Sequence, residues 1–309
     1  MNRREHLSQR PQRGLHRSLI PTMRPLDTKR KALVAVVDIG TSKTTCLVAR
    51  LTPHPAPEAL PRRSHAVKIL GIGYCNSRGI KAGAVSNFEQ VEQAVRQAFD
   101  SAEGHTFEVQ SVVLSVSGGR IASESLSALL DVAGMVSDEA ITRVLAAASP
   151  ASVWNGRATL HCLPNSYSID AAKGIHDPRK MLARRLGVDV VVVSVDAVVA
   201  RDLILTLESC HVNVEAMVAS PYAAGLSVLS EDEMELGAAV IDMGAGTTTM
   251  AVFSAGRLLH VKRLRTWWPS HHNGFGSLHQ CSLCGCLAYQ NWLWIGAFKG
   301  HDEHARCWQ

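Results

Sequence analysis

The chain writes one short pattern twice. Residues 36–51 read "VVDIGTSKTTCLVARL" and residues 240–259 read "VIDMGAGTTTMAVFSAGRLL". Each copy is a β-branched run, then Asp, an apolar residue and Gly, then a cluster of Gly, Thr and Ser, then a second apolar run. Runs of this kind form strands, and the glycine between them marks a turn. Neither copy is followed by a helix. The two best-known glycine-rich phosphate motifs, which place phosphate at a helix N-terminus, are therefore excluded.

A strand–turn–strand element still suits phosphate. Gly40, Gly244 and Gly246 are expected to take backbone angles closed to other residues, so that successive N–H groups point into one concavity. Thr41, Ser42, Thr247 and Thr248 add hydroxyl donors. Asp38 and Asp242 cannot face a phosphate directly, because like charges repel. They make sense with Mg²⁺ and its waters between carboxylate and phosphate. Two such hairpins facing each other would clamp one polyphosphate, which gives the repetition a reason. The plain alternative is two ordinary hairpins with Gly-Thr turns.

Strands and helices alternate over residues 32–261. "SNFEQVEQAVRQAFDSAEG" carries Phe88, Val91, Val95, Ala98 and Phe99 on one helical stripe. "SDEAITRVLAAAS" is a helix that Ser137 can cap. "VDVVVVSVD" suits a strand covered on both faces. "AVVARDLILTLESC" is a helix with Val198, Leu203 and Leu207 inward. Ser220–Pro221 reads as an N-cap followed by Pro at the first helical position, and "SEDEMELG" as an acidic turn. A hairpin turns at Ala255–Gly256. The sum is an α/β protein with mixed sheets and helices on their faces.

Charge separates the ends from this body. Residues 1–31 hold nine Lys or Arg against two acids, residues 262–309 five against two, and residues 32–261 eighteen against twenty-three. The basic flanks argue against a nucleic-acid-binding face, which needs charge clustered on a folded surface. Residues 1–30 read as a solvated, disordered arm. No stretch is long and apolar enough to cross a membrane and no secretory leader opens the chain, so a reduced cytoplasm is the expected compartment.

The two glycine stretches and the segments between them resemble the actin-like ATPase superfamily and, within it, the bacterial FtsA cell-division family. "VVDIGTSKT" is similar to that family's first phosphate stretch and "VIDMGAGTTTMAVF" to its second. "GYCNSRGIKAGAVSNFEQVEQAVRQAF", "VQSVVLSVSGGRIASES", "LPNSYSIDAAKGIHDPRKMLARRLGVDVVVVS" and "SPYAAGLSVLSEDEMELGAAVIDMG" resemble the segments joining them. The resemblance implies an actin-like (ribonuclease H-like) lobe over 31–84 and 161–232, an inserted α+β subdomain over 85–160, and the start of a second lobe over 233–261. It implies ATP and Mg²⁺ as ligands, held by Asp38, Gly40, Thr41, Ser42, Lys43 and Thr44 and by Asp242, Gly244, Gly246, Thr247 and Thr248. It further implies a protein that self-associates into filaments, ties the FtsZ ring to the inner face of the cytoplasmic membrane and recruits later division proteins. Lys43 stands where a cation would help a phosphate.

The runner-up is a sugar or acid kinase of the same superfamily, with Asp177 or Asp196 as base. Yet Asp196 looks like a helix cap and Asp177 like a turn residue. A chaperone-like ATPase would lack the insert.

After Val261 the composition breaks. Residues 262–309 hold five of the six Trp, four of the eight Cys and five of the fourteen His. The family would continue into the rest of its second lobe and a membrane helix. The break is read as an out-of-frame tail that leaves this copy truncated and impaired. A zinc knuckle from His279, Cys281, Cys284, Cys286, His301, His304 and Cys307 is the alternative.

Overall fold

The computed structural model describes residue 27 and residues 29–53, 65–103, 109–150, 153–264 and 292–297. In chain order the elements are β1 (Ala32–Ile39), β2 (Lys43–Pro53), β3 (His65–Asn76), β4 (Ile80–Lys81), β5 (Ala84–Val85), α1 (Phe88–Glu103), β6 (Ser111–Val116), β7 (Ala122–Met135) and α2 (Asp138–Ala148). Then come β8 (Val153–Trp154), β9 (Arg157–Ile169), β10 (Ala172–Ile175), β11 (Leu182–Asp196), α3 (Ala197–Ser209), β12 (Asn213–Ala219), α4 (Ser220–Val228) and α5 (Glu231–Leu236). The last are β13 (Ala238–Met243), β14 (Thr248–Ser254), β15 (Arg257–Leu264) and β16 (Trp292–Ala297).

The first sheet has five strands in the order β12-β6-β1-β2-β3. β1, β2 and β3 form an antiparallel meander, and β6 and β12 add in parallel beyond β1. Helices α1 and α3 cover one face. Val37, Val48 and Leu114 of the sheet pack there with Val91, Val95 and Phe99 of α1 and Leu203 and Leu207 of α3. Because strand side chains alternate, Asp38, Thr45 and Ser115 lie on the opposite face, neighbours in register.

A second, nine-stranded sheet runs β10-β9-β11-β7-β15-β14-β13-β16, with β8 on β9. It carries two cores, and β11 separates them. Val188, Val190 and Val192 face α2, while Val191 and Val193 face α4 and the hairpin strands. The β-branched run is thus covered on both faces, as its sequence requires.

Several local expectations hold. Ser137 accepts the Ala140 N–H at the start of α2. Ala255 and Gly256 have φ of 50° and 68°, the two positive angles of a tight hairpin turn. Others differ. Phe88 and Val198 are exposed, because the buried stripes of α1 and α3 run through Ala94 and Ala102 and through Ala200 and Ile204 instead. "SEDEMELG" is not a turn but helix α5, closed by a capping box between Ser230 and Glu233. The long strand β7, "ASESLSALLDVAGM", exposes polar and apolar residues alike.

The expected insert over 85–160 does not follow the elements. α1 and β6 belong to the first sheet and its core. β9 and β11, placed by the sequence in the first lobe, pair with each other in the second sheet, and β11 pairs on its other edge with β7. The chain leaves the first sheet after β6 and returns to it through α3 and β12. The basic arm over 1–30, apart from 27, 29 and 30, the loop over 54–64 and all the knuckle residues lie outside the described residues.

Candidate functional site

The two sequence copies fold into the same hairpin. The Gly40 N–H donates to the Lys43 carbonyl at 3.0 Å, and the Gly244 N–H donates to the Thr247 carbonyl at 2.8 Å. Asp38 stands opposite Thr45, and Asp242 opposite Thr249. The repeat in sequence is a repeat in backbone.

The glycines serve these turns differently from the expectation. None of Gly40, Gly244 and Gly246 has positive φ. What they supply is room. A Cβ on Gly40 would lie 2.9 Å from the Lys43 carbonyl oxygen, and one on Gly244 3.1 Å from that of Thr247. A Cβ on Gly246 would lie 2.9 Å from Cβ of Thr41, so the two turns touch each other.

Two further loops join them. The Thr247 hydroxyl donates to Ser117 Oγ at 3.3 Å. Gly83, at φ 75°, presses its backbone against Gly118 and stands beside the Thr247 methyl. The turns after β1, β4, β6 and β13 therefore converge at one place.

The charge of Asp242 reaches Asp38 across this place. Asp38 is pushed up to about 6, chiefly by burial and further by the charge of Asp242, against a hydrogen bond from Ser115 and the charge of Lys43. Asp242 is also raised by burial. The Ser220 hydroxyl donates to its Oδ2 at 2.8 Å and opposes that rise. Thr249 also eases the charge, although its fully buried hydroxyl reaches no partner in good hydrogen-bonding geometry. The two copies differ in facing: Asp38 lies partly buried on the face of its sheet opposite α1 and α3, whereas Asp242 continues the buried row of Ala238 and Val240 under α4.

Not every expected phosphate donor faces this space. The Thr44 hydroxyl is buried in a 2.7 Å hydrogen bond with Ser77 Oγ, and the Ser42 carbonyl accepts the Ser77 N–H at 2.9 Å. Thr248 is buried between Met243 and Leu264 in the hairpin register. Ser42 is exposed, and Thr41 and Lys43 are half-buried. Ser220 is not an N-cap: Ala219 takes that position, and the serine hydroxyl goes to Asp242. Sequence reading missed Ser115, Ser117 and Ser220, because their roles depend on strand register and on which loops meet.

The two carboxylates of the kinase alternative lie elsewhere. Asp196 caps α3 through the Val198 N–H and pairs with Arg120 at 2.5 Å. Asp177 pairs with Arg179 at 3.0 Å. Among the described residues no group of three His, Cys, Asp or Glu is placed to hold a metal directly, and no helix among them is long and apolar enough to cross a membrane.

The five-stranded sheet, three antiparallel strands extended by two parallel ones, together with the repeated Asp-x-Gly hairpin, defines an α/β protein of the actin-like (ribonuclease H-like) class. Residues 118–194 match the family described as the SHS2 domain inserted in FtsA. This span, β7 to β11, is the excursion out of the first sheet. The chain is similar to the cell division protein FtsA of Agrobacterium fabrum, with 45% identity over 243 residues covering 78% of this chain and 55% of that one. The Escherichia coli K12 FtsA is 32% identical over 237 residues, covering 76% and 54%. That of Bacillus subtilis is 30% identical over 230 residues, covering 73% and 50%. Over these residues the chain is a relative of FtsA. It spans about half the length of the curated relatives it matches.

Proposed function

We propose that this chain is an actin-like cell-division protein that holds the polyphosphate of ATP between its two hairpin turns, with Mg²⁺ carried through water by Asp38 and Asp242. The observation that carries the reading is the convergence of the two copies: Gly246 touches Thr41, and the charge of Asp242 is felt at Asp38. Two partly buried carboxylates beside the converging turns, one within reach of the other's charge, are a donor set that a hydrated divalent cation fits. Bound there, the cation would offset their repulsion from each other and from phosphate. Backbone N–H groups at Thr41, Ser42 and Gly246, the Thr41 hydroxyl, the Lys43 ammonium and, on turning from Ser117, the Thr247 hydroxyl are the donors for phosphate oxygens. Gly40 and Gly244 keep the turns narrow. Thr44 and Thr248 support the turns from the buried side.

The FtsA relatives support a wider role. The chain would act at the inner face of the cell membrane at the division site, together with FtsZ and later division proteins, and would associate with its own copies. The inserted span 118–194 would be the surface for those contacts.

The described residues supply a hold on phosphate and metal rather than on the base. Titration calorimetry of the full chain with ATP is therefore expected to give a weak, Mg²⁺-dependent affinity, in the millimolar range or about −4 kcal/mol. Identical binding with Mg²⁺ and with EDTA would refute the metal role of Asp38 and Asp242. A micromolar constant would refute the weak hold.

A further inference from the structure

His161 sits on β9, inside the inserted span and outside the phosphate turns. Its Nε2 accepts the Ala219 N–H at 3.0 Å. Ala219 is the N-cap of α4, and no side chain of the helix itself caps that end. The next residue, Ser220, donates its hydroxyl to Asp242. The His161 ring also meets Tyr222 edge-on at 5.1 Å, and Tyr222 stacks on Phe253 of β14 at 6.2 Å. Two short routes thus run from the insert, through the first turn of α4, to the second hairpin.

We infer that His161 is a positioning residue for the candidate metal–phosphate site: by accepting the Ala219 N–H it fixes the start of α4, and with it the direction from which Ser220 reaches Asp242. This inference rests on the proposed role of Asp242. An acceptor is needed at this point because the orphan N–H of a helix start must find a partner when it is shielded from water. Burial keeps the imidazole neutral, with its pKa lowered to about 4, so the Nε2 lone pair stays available for the N–H while Nδ1 carries the proton. The consequence is a mechanical link. A force or partner that shifts β9 shifts the α4 start, and the orientation of Asp242 follows.

Three variants of the full chain test it. His161→Phe keeps the ring and loses the acceptor, His161→Gln supplies an amide oxygen in its place, and Ser220→Ala removes the last step. The first readout is the ratio of ATP affinity with Mg²⁺ to that with EDTA. His161→Phe and Ser220→Ala are expected to lower this ratio about fivefold each, the scale of one hydrogen bond, with His161→Gln returning most of it. The double variant is expected to lose no more than Ser220→Ala alone, since both act through one contact. The second readout is amide hydrogen exchange over 213–228 and 238–249. His161→Phe is expected to speed exchange at the α4 start and around Asp242, and Ser220→Ala around Asp242 only.

A His161→Phe chain that keeps the wild-type ratio overturns the inference, as does full additivity in the double variant. A wild-type chain without any Mg²⁺ effect overturns the metal reading itself. The exchange data then decide the positioning claim alone, and unchanged exchange around Asp242 in His161→Phe overturns it.

Discussion

Gly246 and Thr41, 205 residues apart in sequence, are packed so closely that a methyl on the glycine would fall within 2.9 Å of the threonine Cβ and Cγ2. The backbone angle at Gly246 is open to any residue, so the restriction is one of space alone. Gly246→Val is therefore expected to force the two turns apart. Overpacking of this kind costs about 1–3 kcal/mol. Urea denaturation reads the loss, and Thr41→Gly in the same chain should restore part of it by emptying the space. If Gly246→Val unfolds at the wild-type midpoint, the turns do not touch in solution.

Asp38 gives a pH dependence of definite sign. Its carboxyl holds a proton up to about pH 6 in the folded chain, against an ordinary value of 3.8. Below about pH 4 it is protonated folded or unfolded, and it costs nothing. As pH rises from about 4 to 6, the unfolded chain releases its proton first, so the folded state is penalised progressively. Above pH 6 the penalty is complete, on the order of 2–3 kcal/mol. Asp38→Asn removes it. The variant should match the wild type at pH 4 and exceed it by that amount at pH 7.5, in chemical denaturation at both pH values. Added Mg²⁺ should stabilise the wild type at pH 7.5 and leave Asp38→Asn unmoved. A stability difference that is the same at both pH values would show that burial and Asp242 do not act on this carboxyl.

Gly225 lies in α4, where its missing side chain admits the Phe253 ring. This contact holds the helix that carries Ser220 against the strand that carries Thr249. Gly225→Ala gains helix propensity, by less than about 1 kcal/mol. It must nevertheless displace a fully buried ring, and the net effect expected is a loss of about 1–2 kcal/mol. Phe253→Leu in the same chain should recover some of that loss, although alone it leaves a cavity. Thermal melts of the four chains give the coupling directly, and additive effects would mean that the ring and the helix are not in contact.

The repeated Asp-x-Gly hairpin was legible because each copy is contiguous: strand, turn and strand lie within 22 residues of chain, and pairing within a hairpin needs no distant information. The covered strand at Val190–Val193 was legible for the same reason, from an unbroken β-branched run. What the sequence hid was set by contacts between distant segments. Ser220 could be seen as a cap but not as the donor to Asp242, since the choice depends on where β13 lies. Gly40, Gly244 and Gly246 suggested unusual torsions, whereas their neighbours demand space. The insert boundary was misplaced because α1 has an ordinary amphipathic stripe, which does not say which sheet it covers. Val91 and Phe99 cover β2 and β3.

Arg157 marks where the insert is fastened. Its Nε donates to Ser194 Oγ at 2.8 Å, and its Nη2 donates to the carbonyls of Ser194 at 2.8 Å and Arg120 at 2.9 Å. One guanidinium thus ties β9 to both chain crossings, the one leaving the first sheet and the one returning to it. Hydrogen bonds to a charged donor are worth about 1.5–3 kcal/mol, and a lost donor leaves two carbonyls to find water. Arg157→Met, which keeps the apolar stem, is expected to destabilise by about 2–3 kcal/mol. Arg157→Lys should recover little, because an ammonium cannot span the fork that reaches three oxygens. Hydrogen exchange then separates the fastening from general stability: amides at 118–121 and 194–197 should exchange faster in Arg157→Met, while those of β1 and β2 should hold their wild-type rates. Uniform acceleration across both sheets would mean that Arg157 supports the whole fold rather than the root of the insert.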